Sequence, residues 1–409
     1  MNDPHYNPVV PPHVPQALVH DFNMFDPEEP GVDLFQSVRN LHERGLPDIF
    51  WTRNNGGHWV ALKGEAISDI ARDPENFSSK RMLVPDEQNF ETPFFVPLMS
   101  DPPEHGGYRA IAAPLFTPKR VGDLEEDVRA LTAGLIDEIA ARGQCEFMAD
   151  FALQMPIIVF LRLLDLPLED RPRLLEIAAR IVQPPGEGER RDDAMQQMFD
   201  YLRPILAERV ASPRDDVISS LVTGLHNGRP LSPDEQLGLA ATLLTGGLDT
   251  VAASLGFFAR YLADHPESRR ELREKPGKIG AAVEELMRRF TPTTHGRLVT
   301  HDINFHGVDM CAKDHITWMG GMFNFDHRQF PDPMTVDFDR KRAQHISFGN
   351  GIHFCMGAFL ARMELKVFIT EWLQRIPEFE VVPGAEVRYR PGINIAYDKL
   401  PLRWPTTSN

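Results

Sequence analysis

Cysteine is scarce in this chain, with three among 409 residues, at Cys145, Cys311 and Cys355. An odd number without framework spacing excludes a disulfide scaffold and suits a reducing compartment. Basic charge is also short: 43 Lys and Arg stand against 59 Asp and Glu, for a formal net charge of −16. Nucleic acid and anionic membrane both require clustered cations, so neither is expected as a partner. Long apolar runs are missing too, since no window approaches the roughly 18 uninterrupted apolar residues of a membrane span. The opening MNDPHYNPVVPPHVP lacks the charged-then-apolar pattern of a secretion signal. These absences predict a soluble, cytoplasmic protein that would meet any acidic partner through a local basic patch.

What is present is a chain with 42% hydrophobic residues, ample for a core, and 35 prolines spread along its length as punctuation. Residues 1–20 read as an irregular N-terminal strap. LPDIFWTRNNGGHWVALKG (46–64) alternates and turns at Asn55-Gly56, a hairpin signal. From Pro118 to Asp264 the apolar period is mainly helical. QPPGEGERRDDA (183–194) interrupts it as a charged loop suited to a lid. Short β-rich stretches follow residue 295 and close the chain. The expectation is a mainly α fold with small β-sheets (α+β), in one domain over residues 1–409.

One helix can be delimited. Ser232-Pro233-Asp234-Glu235 is a capping box with proline at the first helical position, and the pattern runs on to Asp264. A helix of roughly 30 residues spans ~45 Å. Yet Gly246-Gly247 sits in mid-course, each glycine costing about 1 kcal/mol against alanine, followed by Asp249 and Thr250. Such local conflicts mark functional sites, although a glycine pair for close helix packing is the plain alternative.

FGNGIHFCMG (348–357) places Cys355 in a glycine-rich loop ahead of the helix-like run AFLARMELKVFITEWLQRI. A nucleophile would need an ordered base within reach, and His353 is poorly placed for it. Zinc would need three or four ligands, for which the stretch lacks the spacing. A single thiolate ligand to haem iron explains more. Gly349, Gly351 and Gly357 let backbone pass close under a flat ring, Phe348 can shield the sulfur, and the following helix start favours its negative charge. A packed, inert thiol stays open on this stretch alone.

The loop matches every fixed position of FGxGxHxCxG and so resembles the haem loop of the cytochrome P450 superfamily. EELMR (284–288) contains that family's ExxR pair as Glu285 and Arg288, GGLDT (246–250) is similar to its oxygen-activating segment, and NFDHRQFPDPMTVDFDRKR (324–342) to its meander. PPHVPQALVHDFNMF, WTRNNGGHWVA, SDPPEHGGYR, EELMRRF and LPLRW further resemble the bacterial camphor-hydroxylating subgroup and its ionone-oxidising relatives. The resemblance runs from about residue 11 to 404.

It implies the P450 fold, a triangular single domain, and haem b (iron protoporphyrin IX) held by Cys355 as the axial ligand to iron. His105, Arg109, Arg297 and His353 stand at positions that bind the propionates, with Gly246, Phe348 and Gly357 against the ring. Asp249 and Thr250 would be catalytic, relaying protons to dioxygen as it is reduced. Glu285 and Arg288 would be structural, in a network with the meander, where Arg340 is the candidate. His295 departs from the subgroup, which has an aspartate there.

The substrate region departs further. The camphor enzyme fixes its ketone with a tyrosine in the loop before DPPE, and RMLVPDEQNFETPFFVPLMS (81–100) has none. Leu83, Leu98, Thr242, Thr245, Thr293 and Ile393 stand at the matched pocket positions. A small terpenoid or ionone-like ketone is expected rather than camphor, with the threonines offering alternative hydrogen bonds. The implied electron donor is a [2Fe–2S] ferredoxin with an NADH-dependent reductase, met through Arg340, Lys341 and Arg342. A peroxide-driven peroxygenase or a non-catalytic haem sensor are the rival readings, and the Asp249-Thr250 pair argues against both.

Overall fold

The computed structural model describes residues 6–7, 9–27, 32–85, 95–182, 191–341, 344–390 and 392–406. The backbone divides into two compact units. Residues 1–108, 293–336 and 340–355 form the first, and residues 109–292, 337–339 and 356–409 the second.

The first unit is organised by a five-stranded sheet, in the order Ile49–Thr52, His58–Ala61, His315–Met319, Thr294–Val299, Phe77–Ser78. The two leading strands form the expected antiparallel hairpin, pairing Trp51 with Trp59. Asn55 turns it at a φ of +53°, a left-handed conformation that asparagine tolerates. All four residues of each hairpin strand are buried, and Trp59 and Phe50 are at 0% exposure. The strap residues lie on this hairpin: the Asn7 amide donates to the Arg53 carbonyl and the His20 amide to that of Trp51, each at 2.8 Å. His13 reaches Asp314 at 2.7 Å, which ties the strap to the start of the central strand His315–Met319.

The second unit is helical. Its two contacting long helices are Pro118–Ala140 and Ala358–Arg375, joined by a charged ladder in which Arg129 and Arg375 both bind the buried Glu371. Beside them Phe147, Phe151, Phe368 and Trp372 form an aromatic core, with ring centroids 5.1 to 5.7 Å apart. Edge-to-face and tilted pairs at these separations contribute beyond the area they bury.

The capping box at Ser232 forms as expected, with both reciprocal bonds present. The helix it starts does not run unbroken to Asp264. It ends at Leu248, and a second helix, Thr250–Asp264, begins after Asp249. Together they are long and apolar enough to cross a membrane, but 78% of that apolar window is buried inside the protein. The lid expectation over 183–194 is shortened at its far end, because a helix begins at Arg191. Residues 183–190 lie outside the described residues, as do 86–94 of the substrate loop and Arg342 of the basic patch.

Candidate functional site

Cys355 lies in the first unit at the end of a loop folded on itself. The Cys355 amide donates to the Phe348 carbonyl at 2.8 Å and the Phe354 amide to that of Gly351 at 3.2 Å. Gly349 and Gly351 take φ of +77° and +70°. Gly351 also has no room for a side chain, since a Cβ would meet the Ala71 carbonyl oxygen at 2.4 Å. Asn350 holds the loop to the helix Gly64–Arg72 by bonds with Ser68 at 3.2 Å and Arg72 at 3.3 Å. The Cys355 thiol is thereby presented at the surface of its unit, while Phe348 is buried beneath. Neither Cys145 nor Cys311 is in a disulfide, and burial pushes the Cys145 thiol well up. Cys145 is therefore the inert, packed thiol and Cys355 is not.

Three predicted propionate partners belong to the same unit. His105 and His353 meet edge to face with centroids 4.5 Å apart, and His353 Nε2 is 3.0 Å from the Ser79 hydroxyl. Arg297 is 5% exposed, lies over the Trp318 ring, and donates to the Gly296 carbonyl at 2.7 Å. Burial pulls its guanidinium down to about 10. A buried cation whose hydrogen-bond acceptor is a neutral carbonyl is suited to an added anion. His295 also stacks against Trp318, with centroids 5.2 Å apart, and shares a 3.2 Å hydrogen bond with Thr293. Burial, helped by the Arg297 charge, pushes His295 down to about 3, so it is a neutral imidazole at physiological pH. The fourth propionate candidate, Arg109, sits one turn after His105 on the helix Glu104–Ala112 and falls in the second unit.

The second unit holds the broken helix. Gly247 has the plain role: a Cβ there would lie 2.0 Å from the Phe160 ring, so the glycine lets the helix Gln154–Leu163 pack closely. Gly246 is exposed, with open space where a Cβ would be. The Thr250 hydroxyl donates back to the Gly246 carbonyl at 3.0 Å. Asp249, at the break, is buried and makes no capping bond; its Oδ1 accepts from Arg390. Thr242 and Thr245 spend their hydroxyl protons on Gly238 and Ala241 carbonyls, at 2.8 and 2.7 Å. The Ile393 amide donates to the Val182 carbonyl. Leu83, Leu98 and Thr293 belong to the first unit, where Leu98 is 43% exposed.

Glu285 and Arg288 form a bidentate pair, at 2.9 and 2.8 Å, with 5% and 1% exposure. The meander joins them through backbone, as the Asp337 amide donates to Glu285 Oε1 at 3.1 Å. The Arg340 guanidinium donates to the carbonyls of Pro331, Asp332 and Thr335. Two residues escape a reading of the sequence. Arg390 lies 141 positions from Asp249 with no motif around it. Glu364 sits at 0% exposure on the helix after Cys355, among apolar residues that give no hint of an acid.

Haem fits the first unit by its donor set: one exposed thiol on a loop of left-handed glycines, and a buried guanidinium with paired histidines suited to carboxylates. The Cytochrome P450 family profile matches residues 279–391. The chain is 35% identical over 407 residues to the probable cytochrome P450 127A1 of Sinorhizobium fredii, covering 97% of both proteins. Among solved structures, CYP101J2 matches with a TM-score of 0.90 and 36% identity, over 97% of this chain and 100% of that one. CYP101C1 matches with 0.87 and 37%, over the same shares. The chain belongs to the cytochrome P450 family, closely resembles its camphor-type bacterial subgroup, and is a haem b monooxygenase.

Proposed function

We propose that this monooxygenase hydroxylates a small hydrophobic terpenoid or norisoprenoid ketone, with dioxygen and two electrons from a [2Fe–2S] ferredoxin served by an NADH-dependent reductase. It would act in the cytoplasm as a single domain over 1–409. Haem, when bound, supplies the iron that Cys355 ligates and at which dioxygen is activated. His105, Arg109, Arg297 and His353 would hold its propionates, and Gly246, Phe348 and Gly357 would lie against its faces. Thr250 would hold a proton at its hydroxyl beside the Gly246 carbonyl, and Asp249 would resupply it directly or through one water.

The observation that carries this reading is the helix interruption at Asp249, with the Thr250 hydroxyl bonded to Gly246. A peroxygenase or a sensor has no use for an acid–alcohol pair at a broken helix. Thr250→Ala is expected to keep substrate binding while sharply lowering hydroxylated product per NADH consumed. Native coupling in that variant would overturn the role.

The substrate part rests on residues 81–100, which lack tyrosine, and on the threonines. Thr242 and Thr245 have donated their protons to their own helix. Thr293 pairs with the neutral His295 instead, so a His295 N–H can satisfy it and leave its hydroxyl proton for a ketone. An unpaired buried carbonyl costs about 1–3 kcal/mol, so Thr293→Val should weaken ionone binding roughly tenfold. Camphor binding more tightly than every ionone tried would refute the substrate class. Arg340 and Lys341 would give an acidic ferredoxin its local positive charge, and electron transfer should slow steeply with salt.

A further inference from the structure

Asp249 is held by a residue that the P450 motifs leave out. At the helix break Asp249 has φ −100° and ψ −31°, and an aspartate there would ordinarily cap the amides of the helix it precedes. It makes no such bond. Its Oδ1 accepts instead from Arg390 Nη2, with side-chain exposures of 6% and 12% for acid and base. Asp249 Oδ2 and Arg390 Nη1 are both buried without a hydrogen-bond partner among the described residues. The pair is thus anchored through one oxygen and leaves the other open.

The segment carrying Arg390 is itself fixed. Arg388–Arg390 pairs with Ala396–Lys399 in a two-stranded hairpin. Just beyond it the Ile393 amide donates to the Val182 carbonyl and the Ile395 amide to that of Pro292, both at 2.8 Å. Gly392 approaches so closely that a Cβ would stand 2.5 Å from the Val182 carbonyl oxygen. Val182 is the last residue of the helix Arg171–Val182. The position of Arg390, and through it the carboxyl of Asp249, is therefore set by docking onto that helix end.

We propose that Arg390 is the positioning residue of the proton relay. It keeps the Asp249 carboxyl turned away from its helix, with Oδ2 free to take and pass a proton, and the contact with Val182 holds it there. This rests on the reading of Asp249 and Thr250 as the relay. A buried carboxylate deprived of its cation takes up a proton rather than stay charged and unpaired.

The test compares Arg390→Leu, Arg390→Lys, Gly392→Ala, Asp249→Asn and the double variant Arg390→Leu/Asp249→Asn as haem-loaded proteins. Infrared difference spectra of the substrate-free proteins, each variant against the wild type, should show one additional protonated carboxyl band in Arg390→Leu that the double variant lacks. Product per NADH should fall several-fold in Arg390→Leu, together with an enlarged solvent deuterium isotope effect. Substrate dissociation constants should stay within about twofold, Arg390→Lys should recover most of the loss, and Gly392→Ala should reproduce part of it without touching either charge. The double variant should be no worse than Asp249→Asn alone. Should Asp249→Asn uncouple while Arg390→Leu shows native coupling and no additional carboxyl band, the positioning role fails and the relay stands. If Asp249→Asn itself couples normally, the relay reading fails and this inference with it.

Discussion

Glu364→Gln should make the protein's stability far less dependent on pH. Glu364 is 0% exposed, and neither of its carboxylate oxygens has a hydrogen-bond partner among the described residues. Burial alone pushes its pKa from 4.5 up to about 8. Below about pH 4.5 the folded and unfolded chains both hold this proton, so the group adds no pH dependence. Between 4.5 and 8 the unfolded chain releases it and the folded chain does not, so stability falls as pH rises. Above 8 both have released it and the loss levels off. At 1.36 kcal/mol per unit, the shift from 4.5 to about 8 corresponds to about 5 kcal/mol in full, of which some 3–4 kcal/mol develops between pH 5 and pH 8. The buried amide of the glutamine variant is unfavourable by the same amount at every pH. The quantity to read is therefore the change in the stability gap between variant and wild type, from urea unfolding at pH 5, 6, 7 and 8. The gap should move by ~3–4 kcal/mol in favour of Glu364→Gln across that range. A gap constant over those values would show that Glu364 ionises in the folded state as it does in the unfolded chain.

Three further outcomes follow from the geometry. Gly351→Ala must place a Cβ 2.4 Å from a backbone oxygen at φ +70°, so haem content per chain and melting temperature should both drop. The strain in φ alone is about 1 kcal/mol. Arg288→Ala strands the buried Glu285 carboxylate and should cost about 3–5 kcal/mol in denaturant unfolding; a loss under 1 kcal/mol would place the pair among ordinary surface contacts. His13→Ala removes the 2.7 Å contact with Asp314 that pins the strap. It should raise amide exchange at residues 9–20 while leaving exchange in the sheet unchanged.

Much of the fold was legible because its signals are local. The capping box at Ser232, the Asn55 turn and the alternating strands around it need no partner to be read, and each forms as expected. The loop before Cys355 was legible for a related reason: its glycines, histidine and thiol lie within one short stretch, and Gly349 and Gly351 take the left-handed φ that tight backbone requires. The helix break was half visible. Gly246-Gly247 announced a conflict, but only Phe160 against Gly247 shows that one glycine serves packing while the other stays open. Long-range charge partners were not legible. Arg390 meets Asp249 across 141 residues through a hairpin docked at Val182, and nothing in YRPG foretells it. Nor did the threonines reveal that two of them spend their protons on their own helix, since that depends on rotamers set by packing.

Ligation of haem iron by the Cys355 thiolate can be read from the absorption spectrum of the reduced, carbon monoxide-bound protein. The wild type is expected to give the strongly red-shifted Soret band of a thiolate-ligated haem, and Cys355→His to lose that shift while keeping haem. A wild-type spectrum with the unshifted band of a histidine-ligated haem, unchanged by the substitution at Cys355, would exclude Cys355 as the iron ligand.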